Sequence, residues 1–193
     1  IYIADWYNPT VGHGEVDFHD PRRDHTHGRI WRLAAKDRPL VEPPRIVGAS
    51  IATLLDALKL PEDWTRKQAK RRLQELGAHA VAAALDDWVQ RLEAGAADFE
   101  HHRLEALWVF QSLGVVRPEL LRAVLQSKDH RARAAAVRVL SYWHEDVADK
   151  MDLFTTAVSD HHGRVRLEAV SGLYYVDTPV AVELAMRALD KPT

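Results

Sequence analysis

Two hydrophobic periodicities divide the chain near Leu40. Before it, the β-branched and aromatic runs Ile1-Tyr2-Ile3-Ala4-Asp5-Trp6-Tyr7 and Gly28-Arg29-Ile30-Trp31-Arg32-Leu33 predict two strands. From Ala49 onward proline and glycine become sparse and apolar residues recur every three or four positions, which predicts helices throughout. The connecting DRPLVEPPRIVG carries Pro39, Pro43 and Pro44, whose missing N–H groups and fixed φ exclude a helix. The chain therefore divides into 1–38, an extended linker 39–48 and a helical region 49–193.

The helical region repeats. The segments TRKQAKRRLQELG, HRLEALWVFQSLG, ARAAAVRVLSYW and VRLEAVSGLYYV superimpose when Arg66, Arg103, Arg133 and Arg166 are aligned. Ala69, Ala106, Ala136 and Ala169 then share a column, and Leu73, Phe110, Leu140 and Leu173 share another. Each segment presents one apolar stripe, with a small residue where a neighbouring helix must approach closely. A second amphipathic segment follows each: 79–92, 118–126, 147–158 and 179–189. Repeats of 30 to 37 residues predict a mainly α fold, a right-handed solenoid of about four helix pairs preceded by a β-hairpin. The first helices fall at 49–58 and 63–76, and Trp64, Trp88, Trp108, Trp143, Tyr174 and Tyr175 are expected to fill the core between repeats.

Composition narrows the chemistry. With 47% apolar residues, a chain of 193 residues can bury a sizeable core. A net charge of −2 gives no overall attraction to polyanions, and the one dense basic cluster, Arg66 to Arg72, sits beside acids, so nucleic acid is not an expected partner. No apolar run reaches the roughly 18 residues of a membrane span. Cysteine is absent, which excludes disulfides and thiolate metal sites. The chain opens at Ile1 inside a strand-like run, as an internal piece of a longer protein would.

The stretch VGHGEVDFHDPRRDHTHGRI, residues 11–30, gathers polar chemistry between the two strands. His13, Glu15, Asp17, His19, Asp20, Arg22, Arg23, Asp24, His25 and His27, with Asp5 on the first strand, form a candidate ligand-facing loop. Three readings stand. His25, His27, His19 and Asp17 supply nitrogen and oxygen donors for a divalent metal, the basis of a metal-dependent enzyme, although their spacing matches no specific signature. HDPRRDH is alternatively a turn stitched by salt bridges. Arg22 and Arg23 are also suited to a substrate carboxylate or phosphate, or to a partner. His101-His102 and His161-His162 read as polar helix starts, since adjacent residues on a helix diverge.

The lines DHRARAAAVRVL from Asp129 and DHHGRVRLEAVSGL from Asp160 resemble HEAT repeats, in which an Asp precedes the second helix and an Arg follows. The resemblance implies a structural ladder of Arg66, Arg103, Asp129, Arg133, Asp160 and Arg166, with Asp129 and Asp160 as N-caps. IYIADWYN and GRIWRL resemble one hairpin of a glucose/sorbosone-dehydrogenase-like β-propeller. Together with HGEVDFHDPRRDHTHGRIWRL and the proline linker, the whole chain resembles the planctomycete-type membrane-bound dehydrogenase-like proteins, the PVC-type haem-binding C-x-x-C-H family. That resemblance implies an extracytoplasmic parent in which a propeller precedes the HEAT region and a cytochrome c domain follows it. Those domains of the same chain would be its partners, and a protein partner fits the concave helical surface. Haem c belongs to the parent; without cysteine this piece takes no covalent haem, and no cofactor of its own is implied. The piece itself is expected to be a non-catalytic scaffold or, alternatively, an autonomous interaction module.

Overall fold

The computed structural model describes residues 1–5, 19–40 and 42–191, which form two units meeting between Pro43 and Pro44, inside the proline linker. In the first unit, β1 (Tyr2–Asp5) pairs antiparallel with β2 (Arg29–Arg32), Ile3 opposite Trp31 and Asp5 opposite Arg29. The ladder continues one step further, because the Leu33 N–H donates to the Ile1 carbonyl at 2.8 Å and the Ile1 ammonium donates to the Leu33 carbonyl at 3.0 Å. Trp6 and Tyr7 lie outside the described residues. Since Ile30 and Trp31 are consecutive, they point to opposite faces, and both are exposed, as are Tyr2 and Ile3. Two strands with apolar groups on both faces are the composition of a sheet covered on both sides.

The second unit is helical: α1 (Ile51–Ala57), α2 (Asp63–Leu76), α3 (Ala78–Gln90), α4 (Phe99–Ser112), α5 (Pro118–Leu125), α6 (His130–Trp143), α7 (Lys150–Val158), α8 (Gly163–Leu173) and α9 (Pro179–Met186). A short 3₁₀ turn, Arg187–Asp190, follows α9. Local chemistry sets the starts. Ser50 Oγ accepts the Thr53 N–H at 3.1 Å, an Asp129 carboxylate oxygen accepts the Arg131 N–H at 2.8 Å, and Pro118 and Pro179 stand where a missing N–H costs nothing. Gly77, at φ +84°, lets α3 begin directly where α2 ends.

The four arginine helices pack in sequence, α2 on α4, α4 on α6 and α6 on α8. Their aligned residues Ala69, Ala106, Ala136 and Ala169 are buried, and so are Leu73, Phe110, Leu140 and Leu173. One apolar stripe per helix thus lies in a single continuous core. The pairing frame differs from the one read off the sequence. α2, α6 and α8 pack more extensively on the helix that precedes them than on the helix that follows, α4 being the exception. The α6–α8 interface is the most extensive, and Gly172 of α8 packs tightly against both α6 and α7: a Cβ there would lie 2.7 Å from the Phe154 ring and 3.0 Å from Ser141 Cβ.

The aromatic expectation needs correction. Trp88 and Trp143 are buried and Trp108 partly so, but Trp64, Tyr174 and Tyr175 are at least 60% exposed. Trp64 lies in the first turn of α2, and Tyr174 and Tyr175 follow the end of α8.

Candidate functional site

In the loop, the described residues close on themselves. The Arg22 guanidinium forks onto Asp20 through Nε at 3.0 Å and Nη2 at 2.6 Å, while the Arg22 N–H donates to the same carboxylate at 2.9 Å. These bonds hold the Asp20 carboxyl down at about 2. Asp24 accepts the Thr26 N–H at 2.9 Å and the His27 N–H at 3.1 Å, and its second oxygen lies 2.8 Å from His27 Nδ1. Hydrogen bonds from Thr26 chiefly, then from His27, keep Asp24 well below the usual carboxylate range. Asp5, on β1, accepts from Trp31 Nε1 at 3.0 Å and pairs with Arg29 at 2.9 Å. Among the described residues no three His, Asp or Glu side chains converge as a metal would require. His13, Glu15 and Asp17 lie outside the described residues.

The arginine column has a geometry that recurs. Arg133 Nη1 donates to the carbonyls of Ser127 (2.8 Å) and Lys128 (3.2 Å), six and five residues back. Arg66 does the same to Leu60 (2.8 Å) and Pro61 (2.7 Å), and Arg166 to Asp160 (3.1 Å) and His161 (3.3 Å). Each arginine thus ties down the turn that enters its own helix, where carbonyls lack helical partners. The forward partner varies. Arg133 forks onto Asp160 at 2.7 and 2.9 Å, and Arg66 reaches Glu105 in α4 at 3.0 Å.

Asp129 and Asp160 are not equivalent, although both precede an arginine. Counted from the arginine, Asp129 stands four residues back, in register with His162, and both are helix caps: His162 Nδ1 accepts the Arg164 N–H at 3.2 Å. Asp160 stands six back, in register with Ser127. Asp129 therefore bonds Arg131 of its own helix and, among the described residues, forms no bridge to the preceding arginine helix. Ser127 stands in the register position that Asp160 holds ahead of Arg166, so Arg103 has no acid there. Arg103 turns to Glu100 at 2.7 Å and to the Ala123 carbonyl at 3.0 Å, and among the described residues its buried Nε has no hydrogen-bond partner.

Several contacts were not legible in the sequence. Glu105 is buried between Arg66 at 3.0 Å and Lys70 at 2.5 Å, with His101 Nε2 at 3.4 Å, and Lys70 lies 4.7 Å above the Trp108 ring. Arg117 forks onto Asp86, and Arg122 onto Asp149, so the alternate helices α3, α5 and α7 are also bridged. The rings of His130 and His162 stack with centroids 3.6 Å apart. Between α6 and α8 an open groove of about 530 Å³ carries the exposed Tyr142 and Tyr175 over Ser141, Ser171 and Gly172, beside the Arg138–Glu168 pair.

No family model, curated protein or solved structure matches the chain. Many of the charged groups pair with one another, and the exposed groups of the α6–α8 groove include the aromatic Tyr142 and Tyr175. Among the described residues, no helix is long and apolar enough to cross a membrane.

Proposed function

We propose that the helical unit is a HEAT-type solenoid acting as scaffold in a larger extracytoplasmic, sugar-dehydrogenase-like and haem-linked protein, with the β1–β2 pair closing a propeller. The observation that carries the scaffold reading is the arginine clamp. Three of four arginine helices use the same side chain on the same pair of carbonyls, which is the signature of one structural unit used repeatedly. The exposed apolar groups on both faces of the β1–β2 pair support its membership in a larger sheet. The resemblance of the loop and flanks to the dehydrogenase-like family supplies the redox context. Haem would be held by the parent's cytochrome part.

Reading the gene on both sides tests the placement. Propeller-coding sequence upstream and a C-x-x-C-H downstream are expected; a reading frame with neither overturns it. A second reading, an autonomous interaction module, is favoured by the helical unit's own continuous core. It predicts that residues 44–193 fold alone and recover one specific protein from extracts.

A further inference from the structure

Between α5, α6, α7 and the start of α8 lies a pocket of about 150 Å³. Its wall is largely apolar: Val137, Ala157 and Val165 are buried, and Leu125 and Leu153 are partly buried beside them. Gln126 and Thr156, both exposed, mark its mouth. Protein interiors pack to nearly crystalline density, so a void of this size inside a continuous core needs a cause.

The repeat supplies the cause. Counted from the arginines, Val137 stands four residues after Arg133, where α4 has Leu107, and Ala157 stands nine before Arg166, where α5 has Val124. Leu107 and Val124 are both fully buried. The α6–α8 boundary therefore has a shorter side chain at two core positions than the α4–α6 boundary. Val165, one before Arg166, is larger than its counterpart Ala132, and returns only part of the lost volume.

The polar side chains of the wall leave little for a charged ligand. Arg133 uses its Nε and Nη2 on Asp160 and its Nη1 on the Ser127 and Lys128 carbonyls. Arg122 forks onto Asp149 and reaches Glu119 at 2.8 Å, and Thr156 Oγ1 donates to the Asp152 carbonyl at 3.0 Å. An anion entering here would lose its water and meet guanidiniums that are already engaged, and a cation would compete with them for the same carboxylates. We propose that this pocket is a binding site for a compact, uncharged, apolar molecule of the size of benzene. Apolar cavities of about this volume admit benzene or xenon rather than water, so volume and lining agree on the class of ligand.

The probe is benzene, titrated into the full chain and followed in methyl carbon–proton correlation spectra. Saturable shifts at the methyls of Leu125, Val137, Leu153 and Val165 are expected, with Kd on the order of 1 mM. A157V and, independently, V137L install the residues of the α4–α6 boundary and fill the space. Each should weaken benzene binding at least tenfold while circular dichroism stays unchanged; if one variant fails to fold, the other decides. Benzoate, with the same ring and a charge, should bind at least tenfold more weakly than benzene. Absence of saturable shifts, or benzene binding that either folded variant retains, overturns the proposal. So does benzoate binding as tightly as benzene, which would assign the pocket to its arginines.

Discussion

Arg133 and Asp160 share two parallel hydrogen bonds, 2.7 and 2.9 Å, across the α6–α8 boundary, while Arg133 Nη1 holds the Ser127 and Lys128 carbonyls behind it. One side chain therefore fixes both the entry of its own helix and the place of the next.

Replacing Arg133 by Ala should destabilise the helical unit by about 3 kcal/mol, since a carboxylate with little access to water is left without its partner. R133K should recover little, because an ammonium cannot reproduce the fork. Urea denaturation measures both. Equal midpoints for wild type and R133A would remove the clamp from the account of stability.

Asp160 adds a pH signature. Burial raises its carboxyl, but the bonds from Arg133 and the His162 N–H outweigh this and leave it lowered. A depressed folded value means that the stabilisation is present above the unfolded value, about 3.9, and is lost as pH falls through the folded one. Wild type should lose stability in that acid window, and D160N, which cannot titrate, should show a flatter profile there by chemical denaturation.

His162 shifts in the same direction for a different reason. Desolvation and the adjacent His130 charge lower its pKa, and its Nδ1 must stay unprotonated to accept from Arg164. Other charges around it include Asp160, His161 and Arg133. The unfolded state takes up a proton first, so stability present above about pH 6.5 declines as pH falls below it. H162N keeps a cap acceptor without a titrating ring and should reduce this decline in thermal melts between pH 7.5 and 5.5.

Gly172 to Ala sets two effects against each other. Alanine is favoured over glycine inside a helix by about 1 kcal/mol. The new methyl, however, would press on Phe154 and Ser141, and overpacking of this kind costs roughly 1–3 kcal/mol. Net destabilisation of about 1 kcal/mol is expected. A raised melting temperature for G172A would show that α8 can shift away from Phe154.

Glu105 to Ala should cost about 3 kcal/mol, because Arg66 and Lys70 then face a buried site without their acid. The isosteric E105Q should cost less, since its amide oxygen still accepts one bond. A double-mutant cycle with Lys70 to Met isolates the pair.

The helices, their apolar stripes and the alanine column were legible because a period of three and four reports which side of a helix is buried. The partners of the arginines were not. Asp129 and Asp160 look alike in the sequence, yet a two-residue offset makes one a cap and the other a bridge. Glu105 sits between two apolar residues and carries no mark of burial. In the loop, Asp20, Arg22, Asp24 and His27 form short-range bonds that residue type alone left compatible with metal, substrate or turn.

By itself the sequence determined the helical class, the repeat and the division at the prolines, because these follow from spacing along one strand or helix. Tertiary structure alone decided which charged groups meet and why Trp88 is buried while Tyr174 is exposed. Those outcomes depend on the axial offset and rotation between neighbouring helices, which no local pattern encodes.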